Sequence, residues 1–503
     1  MKMKNTIRTF IAGVTALVVL ASCNLELAPT TSVVYDDDTP LFQTENDVES
    51  FLYGVLASYR ALCSGSFDQS SDVMCDYFNA TQGFGNNYGS VHRADATFTP
   101  SDEYVESMWS SHYSAIKNYN IAIEQADYVD ESLKESAEVL KGIALFCRAS
   151  AYLTLTRHFG VVYDPATASD ELSVPLILVY DQEAKPYRAT VEEVYEQIRW
   201  DLEDASTYLE NRAGVPAASM PTIDAVKAVM ARYYLDVKDY ASAAKMAMEV
   251  IESPAGYALA STPDEMLNEY SIDSGSEPIV QMYASKAEGT IAKTLYTSVS
   301  NDATVGKYFQ PYFVPSANLL NAYEPTDFRY QMWFSKALYP VFMNGSYYNN
   351  IYVFVKYLGN PYLYSGDIEN GAHAAKPLKI AEMYLIAAEA YAQQNNTAKA
   401  KSILNTLQRA RNASVTAGTL DAVKKEWYKE MVGDGHLFIC AKRWGDGFPA
   451  RPLQAGAANV CMTGPSYEER KVDADSRIFN WPVPSYEIKI TPSLEQNPGY
   501  SAE

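Results

Sequence analysis

Five positions in this chain recur at one fixed offset. Ala231, Tyr234, Ala243, Ala247 and Val250 have the spacing of Ala388, Tyr391, Ala400, Leu404 and Leu407, 157 residues further on. Small residues at these steps let two antiparallel helices pack closely, and a tyrosine one turn later fills the gap to the next helix pair. Asp239-Tyr240 makes the turn in the first copy and Asn395-Asn396 in the second. Ala149 and Tyr152 open a third copy, whose second helix is delayed by the insertion 160–189. A pair of unrelated alanine-rich hairpins is the competing explanation. Hairpins of this kind bury their apolar faces only against neighbours, so two separated copies must pack into something larger.

Helical periodicity extends well beyond the repeat. It predicts helices over 46–62, 102–127, 132–159, 190–211, 222–237, 240–252, 376–394, 397–411 and 420–443. Residues 62–100 carry Gly, Asn, Ser and aromatic residues without a period, and 255–370 is irregular and rich in tyrosine. Short strands such as Tyr352-Val353-Phe354-Val355 are expected there. The fold class that follows is mostly α: hairpins like those of tetratricopeptide repeats form a scaffold, with irregular aromatic-rich loops and a few short β-strands.

The N-terminus reads as a targeting segment. Lys2, Lys4 and Arg8 precede an uncharged, largely apolar run from Thr9 to Leu20. A permanent spanning helix needs about 20 apolar residues, so this run is short for that role. It ends in Leu20-Ala21-Ser22-Cys23, an aliphatic residue and two small ones before a cysteine. That is a lipobox: cleavage after Ser22 leaves Cys23 to carry diacylglycerol and palmitate-type acyl chains, which together make a stable anchor. An ordinary secretory signal with an incidental cysteine is the alternative. The expected organisation is a signal peptide over 1–22, a lipidated tether over 23–45, and one domain over 46–503. Within that domain a helical half (about 46–255) is followed by a loop-rich insertion (about 256–370) and a C-terminal portion with the second hairpin (371–503). No segment after the leader reads as a membrane span. The Asp36-Asp37-Asp38 run lacks the glycine and distal glutamate of a calcium loop and reads as solvated linker.

The net charge of −22 makes the chain a poor partner for nucleic acid or for an anionic bilayer surface, and suits neutral ligands. Cys63, Cys75, Cys147, Cys440 and Cys461 form no CxxC pair and no metal-ligand spacing. Cys63 and Cys75 are either two thiols or a disulfide closing a surface loop, and Cys147 reads as a buried thiol. The five histidines, His92, His112, His158, His373 and His436, contain no pair four residues apart, so no zinc site is expected. There is no nucleophile elbow and no phosphate-binding loop, and the Gly83, Gly85 and Gly89 spacing misses the dinucleotide fingerprint. No cofactor is expected. The abundant carboxylates single out no glycosidase pair, because such a pair is defined by separation and environment.

Aromatic residues in the irregular stretches are the remaining signal. The chain has 39 tyrosines. Tyr77, Phe84 and Tyr88 lie in the first irregular stretch, and Tyr308, Tyr312, Trp333, Tyr347 and Tyr348 in the second. Aromatic faces stack on the C–H faces of sugar rings, with nearby Asn, Asp and Gln available to the hydroxyls. Tyrosine also provides contact area at little entropic cost. Each of these residues could equally be part of a loop's own core.

Several motifs together resemble the SusD/RagB family of outer-membrane lipoproteins of the Bacteroidetes. They start with Cys23-Asn24-Leu25-Glu26-Leu27-Ala28-Pro29 and Trp109, Tyr113, Ile116 and Asn120. Arg148-Ala149, Tyr152, Phe159-Gly160 and Arg188-Ala189-Thr190-Val191 with Tyr195, Ile198 and Asp201-Leu202 follow. Asp327-Phe328-Arg329 stands where the family has D-P-R, and Ala381-Glu382-Met383-Tyr384-Leu385 leads on to Leu404-Asn405. Asp434-Gly435, Lys442-Arg443-Trp444-Gly445, Pro482-Val483-Pro484-Ser485-Tyr486 and Gln496-Asn497-Pro498-Gly499-Tyr500 complete the set. Two positions depart from the pattern: Trp427 follows Glu426 where the family has arginine, and Gln408 replaces the arginine of L-N-x-x-R. These are framework motifs, and no ligand residue carries over from them. The resemblance implies a non-enzymatic, cell-surface glycan-binding lipoprotein. It implies a partner too, a SusC-like TonB-dependent outer-membrane β-barrel that the protein covers as a lid during nutrient uptake. A peptide-binding relative on the same scaffold and a tethered glycoside hydrolase are the alternatives. Of six tryptophans, Trp333 alone falls in the variable tyrosine-rich region, so it is either a stacking platform or a small core.

Overall fold

The computed structural model describes residues 40–501, apart from 64, 182–184, 289–291 and 294–295. The signal peptide, Cys23 and residues 24–39 of the tether lie outside the described residues. The principal helices are α1 (Glu45–Leu62), α2 (Ser66–Met74), α3 (Glu103–Gln125), α4 (Lys134–Phe159), α5 (Val191–Tyr208), α6 (Ile223–Asp236), α7 (Tyr240–Ile251), α8 (Pro263–Ser271), α9 (Phe328–Trp333), α10 (Ile380–Gln393), α11 (Thr397–Ala410), α12 (Leu420–Glu430) and α13 (His436–Trp444). The strands needed below are β1 (Phe78–Ala80), β2 (Thr297–Asp302), β3 (Gly306–Pro311), β4 (Phe313–Pro315), β5 (Val341–Met343) and β6 (Ser346–Tyr348).

The repeat is a pair of hairpins, α6–α7 and α10–α11, and α7 packs directly on α10. The copies are therefore neighbours in space despite the long excursion between them. A third hairpin, α4–α5, packs on α6 through α5, and its helices are separated by the insertion at 160–189. The small residues do what their spacing implies: Ala231, Ala243, Ala247, Ala388 and Ala400 are all fully buried where the helices meet.

Local chemistry sets the helix ends. Thr44 and Thr190 each form a capping box, with Asp47 and Glu193 respectively, satisfying backbone donors at the start of α1 and α5. Framework motifs far apart in sequence converge just before and along α5. Arg188 donates to the carbonyls of Ser173, Leu172 and Phe159 and to Asn497 Oδ1. Asn497 in turn donates to the carbonyls of Phe159 and Trp481. Arg148 makes a two-pronged pair with Asp201, at 2.8 and 2.6 Å, and donates to Asn120.

The structure corrects several expectations. Residues 420–443 form two helices, because Gly433 and Gly435 take positive φ of 88° and 74°, the region where glycine has no Cβ penalty. The break lets Asp434 point inward, where it accepts from Lys356 and Lys379 and from the Tyr357 hydroxyl. Helices α2, α8 and α9 lie in stretches that show no helical period. Cys63 and Cys75 are separate thiols, and Cys75 is fully buried at the end of α2. By length and composition Glu131–Phe159 is apolar enough to cross a membrane, but 78% of its most apolar window is buried in the fold. It is the central core helix.

Among the described residues three apolar clusters result, the smallest being Leu363, Tyr364 and Ala372. The largest runs from Phe42 to Leu494 and includes the helices. A smaller one, with Phe309, Val314, Val341, Met343, Ile351 and Val353 at its centre, lies beneath a four-stranded sheet ordered β2–β3–β5–β6. That sheet is antiparallel except for the parallel β3–β5 pair. Strand β1 pairs antiparallel with β4, from Phe78 opposite Pro315 to Ala80 opposite Phe313. This ties the first irregular stretch to the second. Val353–Phe354 pairs with Phe334–Ser335 as a further two-stranded ribbon, within the run expected to be extended.

Candidate functional site

Side chains alternate across a strand, so one face of the four-stranded sheet meets the small core and the other faces outward. Phe309, Val341 and Met343 point inward and are buried. Their neighbours Tyr308 and Phe342 therefore point outward, and Tyr347, the register partner of Phe342, joins them. The three rings form a closed cluster. Tyr308 lies 5.4 Å from Phe342 and 5.6 Å from Tyr347, and Phe342 lies 4.9 Å from Tyr347. Tyr347 is 39% exposed, and Tyr308 and Phe342 are half-buried.

Polar groups flank the rings on the same face. Ser300 sits opposite Tyr308 in the register, and Ser298 opposite Gln310. The Ser300 hydroxyl donates to Gln310 Oε1 at 2.8 Å. At the end of β2, Asp302 accepts from the backbone N–H groups of Thr304 and Val305 at 2.8 and 3.0 Å. These bonds hold its carboxyl below the ordinary value. The Tyr347 hydroxyl is pushed up, first by desolvation and then by the nearby Asp302 charge. The turn at Asn344 is hydrogen-bonded to Gln82, so the 81–89 loop borders the β5–β6 hairpin.

The aromatic residues singled out in the sequence divide into three groups. Tyr308 and Tyr347 meet on the outer face. Tyr348 turns inward onto the small core, and Tyr312 is half-buried against the large one. Tyr88 is half-buried and stacked on Tyr104, at 4.5 Å and 21°. Trp333, Tyr77 and Phe84 are 3%, 0% and 7% exposed and offer no ring face to a ligand. Trp333 lies beneath the Lys356 ammonium, 4.4 Å from the ring centre. The Tyr77 hydroxyl donates to the Tyr428 carbonyl at 2.9 Å. Phe84 packs edge-on to Phe313 and Tyr467. Phe342, Ser300, Gln310 and Asp302 were not among the candidates. Alternation along Gly306–Pro311 was the available signal, but strand β5, which presents Phe342, is only three residues long.

A cleft of about 930 Å³ lies elsewhere, between the 411–419 loop, α12 and Trp444. Its lysines are paired: Lys424 with Asp446 at 2.7 Å, Lys425 with Asp421 at 2.8 Å and Lys429 with Glu426 at 2.9 Å. The Trp444 indole N–H donates to Glu389. Among the described residues no cluster of His, Cys, Asp and Glu suits a metal ion.

Family models match along nearly the whole described chain. Residues 34–235 match a family described as starch-binding and associating with the outer membrane, and residues 228–500 match the SusD family. The chain belongs to the SusD family. A SusD-like protein, P2, of Formosa agariphila is 26% identical over 436 residues, covering 80% of this chain and 82% of that protein. A SusD superfamily protein of Bacteroides thetaiotaomicron has the same fold, with a TM-score of 0.73 and 24% identity over 90% of this chain and all of that one. A putative sugar-binding protein of Bacteroides vulgatus aligns with a TM-score of 0.72 and 25% identity, covering 92% of this chain and all of the other. A laminarin-binding SusD-like protein aligns with a TM-score of 0.68 and 19% identity, over 91% of this chain and all of the other. The helical, hairpin-built scaffold is thus the SusD scaffold, and the aromatic sheet is displayed upon it.

Proposed function

We propose that this SusD-family chain binds an oligosaccharide or polysaccharide on the outer face of the β2–β3–β5–β6 sheet. It does so at the cell surface, anchored through lipid on Cys23, and passes its cargo to a SusC-like TonB-dependent barrel. The observation that carries the binding reading is the cluster of Tyr308, Phe342 and Tyr347, held outward by the strand register and flanked by hydroxyl and amide groups. The sugar-binding and laminarin-binding descriptions of structural relatives support the same ligand class. A non-enzymatic role fits the face: among the described residues of these four strands Asp302 is the one carboxylate, whereas glycoside hydrolysis ordinarily uses two.

Calorimetry against a glycan panel tests this. Tyr308→Ala and Tyr347→Ala are each expected to weaken binding of the panel's best ligand by roughly 1–2 kcal/mol, as exposed aromatic anchors do, with unchanged melting. Affinity that is indifferent to both substitutions would remove this face from the proposal. Reducing ends released from the panel by purified protein would overturn the non-enzymatic role, and tight binding of peptides alone would move the chain to the peptide-binding alternative.

The anchor has its own test. Cys23→Ala is expected to yield a folded protein that no longer sediments with outer membranes in cells lacking the partner barrel. A variant that still sediments there would refute lipid on Cys23 as the anchor.

A further inference from the structure

We infer that this face selects uncharged glycans over sulfated or uronic-acid-bearing ones, with Asp302 repelling anions and Gln310 supplying an oriented hydrogen-bond donor. The inference rests on the proposed glycan-binding reading and adds the ligand's charge class and two residues that set it.

Among the described residues of the four strands, the outer face carries an anion and no cation. Asp302 shares the side of β2 that bears Ser298 and Ser300, because the three alternate along the strand. Its carboxyl is held ionised by two backbone N–H groups and stands close enough to perturb the Tyr347 hydroxyl. The nearest lysine in sequence, Lys307, is on the opposite side of β3 with Phe309. Its ammonium is neutralised there by both oxygens of Glu369 at 2.8 and 2.9 Å and lies 5.8 Å from the Tyr339 ring centre. Recognition of sulfate or carboxylate normally uses Arg or Lys in direct contact. Among the described residues of the four strands, no such group faces the rings. An anionic sugar stacked on Tyr347 would instead meet a like charge with nothing to offset it.

Gln310 provides what an uncharged sugar needs. It lies two residues beyond Tyr308, on the same side of β3, and is half-buried. Its carbonyl oxygen is taken by Ser300 at 2.8 Å, which fixes the amide plane. Its Nε2 group has no partner among the described residues and remains a donor beside the rings. A side-chain amide held in this way donates to a sugar hydroxyl without first being ordered, so it favours ligands with hydroxyls at that position.

The test pairs each of laminarin, pullulan, galactomannan and xyloglucan with its sulfated derivative in calorimetry, using the full-length mature chain. The uncharged form of the preferred polymer is expected to bind at least tenfold more tightly than its sulfated form. Asp302→Asn should narrow that gap, and Gln310→Leu should weaken the uncharged form about tenfold with unchanged melting. A sulfated polymer bound equally well or better, with its binding lost in Tyr308→Ala, overturns the charge selectivity while leaving the face as the binding site. Binding untouched by Tyr308→Ala and Tyr347→Ala together overturns both readings. Selectivity that persists undiminished in Asp302→Asn removes that residue as its cause.

Discussion

Arg329→Leu is expected to cost about 3–5 kcal/mol of folding stability, the range for breaking a buried ion pair by removing one partner. Arg329 is completely buried. Its guanidinium forks onto Asp327 at 2.9 and 2.7 Å and reaches Glu430 at 2.8 Å and Glu426 at 2.6 Å. Arg411, also fully buried, holds the other side of Glu430 at 2.6 Å and Glu277 at 2.7 Å. Removing Arg329 leaves Asp327 and Glu426 without their main counter-charge in a low-dielectric interior. Arg329→Lys keeps the charge but not the fork and should fall between the leucine variant and the natural chain. The pH dependence follows from Glu430, whose carboxyl is held down from 4.5 to about 2, against the pull of burial, by Arg411 first and Arg329 second. A depressed carboxyl contributes stability that is fully present above 4.5 and is lost as pH falls toward 2. The leucine variant should show a smaller loss over that window, because part of the contribution is already gone. Denaturant unfolding across pH measures both effects, and a penalty under about 1 kcal/mol would show that the network is not under the constraint described.

Trp333→Ala is the second large effect expected: about 3–5 kcal/mol of stability, as for a large aromatic removed from a core, with glycan affinity unchanged. The ring belongs to the main core beside Phe334 and is 3% exposed. It also covers Lys356, whose side chain is fully buried and whose ammonium burial pushes down to about 8. That ammonium is retained by Asp434 at 2.8 Å and by the carbonyl of Val432. Truncating the ring leaves a void next to a buried cation, so the loss includes a cation–π contact as well as apolar packing. Unfolding and calorimetry on the same preparation decide the matter. Unchanged stability with lost affinity would return Trp333 to the binding site.

Scaffold and site differed in how far they could be read from sequence, for physical reasons. Hairpins were legible because their packing depends on small residues at fixed steps, and the 157-residue offset preserves those steps in both copies. Framework motifs were legible as a set but not as contacts. Nothing in the sequence says that Arg188, Phe159 and Asn497 meet, as they do. The two departures from the family pattern are absorbed locally: Gln408 donates to Glu426 at 2.8 Å, and Trp427 packs under Arg443, 5.9 Å from the guanidinium. The binding face was harder. Aromatic content pointed to the stretch that holds the proposed face, yet residue type does not give direction. Tyr347 and Tyr348 are adjacent and point to opposite sides of the sheet, and which one faces outward depends on its pairing with β5. Trp333 was ambiguous because a six-residue helix, started by Asp327, is too short to show a period.

The docking of α7 onto α10 brings together the two ends of the excursion 252–379. Seen as a loop, that excursion is already closed by the helices at its base. The entropic penalty for closing a flexible loop rises only with the logarithm of its length, about 0.6 kcal/mol for each doubling. Residues of the displayed strands β2, β3, β5 and β6 can thus be added, removed or exchanged at small cost to the helices, whereas Arg329 and Trp333 in the same excursion belong to the main core and its ion pairs. The small core beneath the sheet is separate from the large one, so a change in the displayed strands need not disturb the hairpins. The molecule has the layout of a socket with a replaceable head, in which the displayed strands can change while the helical base stays as it is.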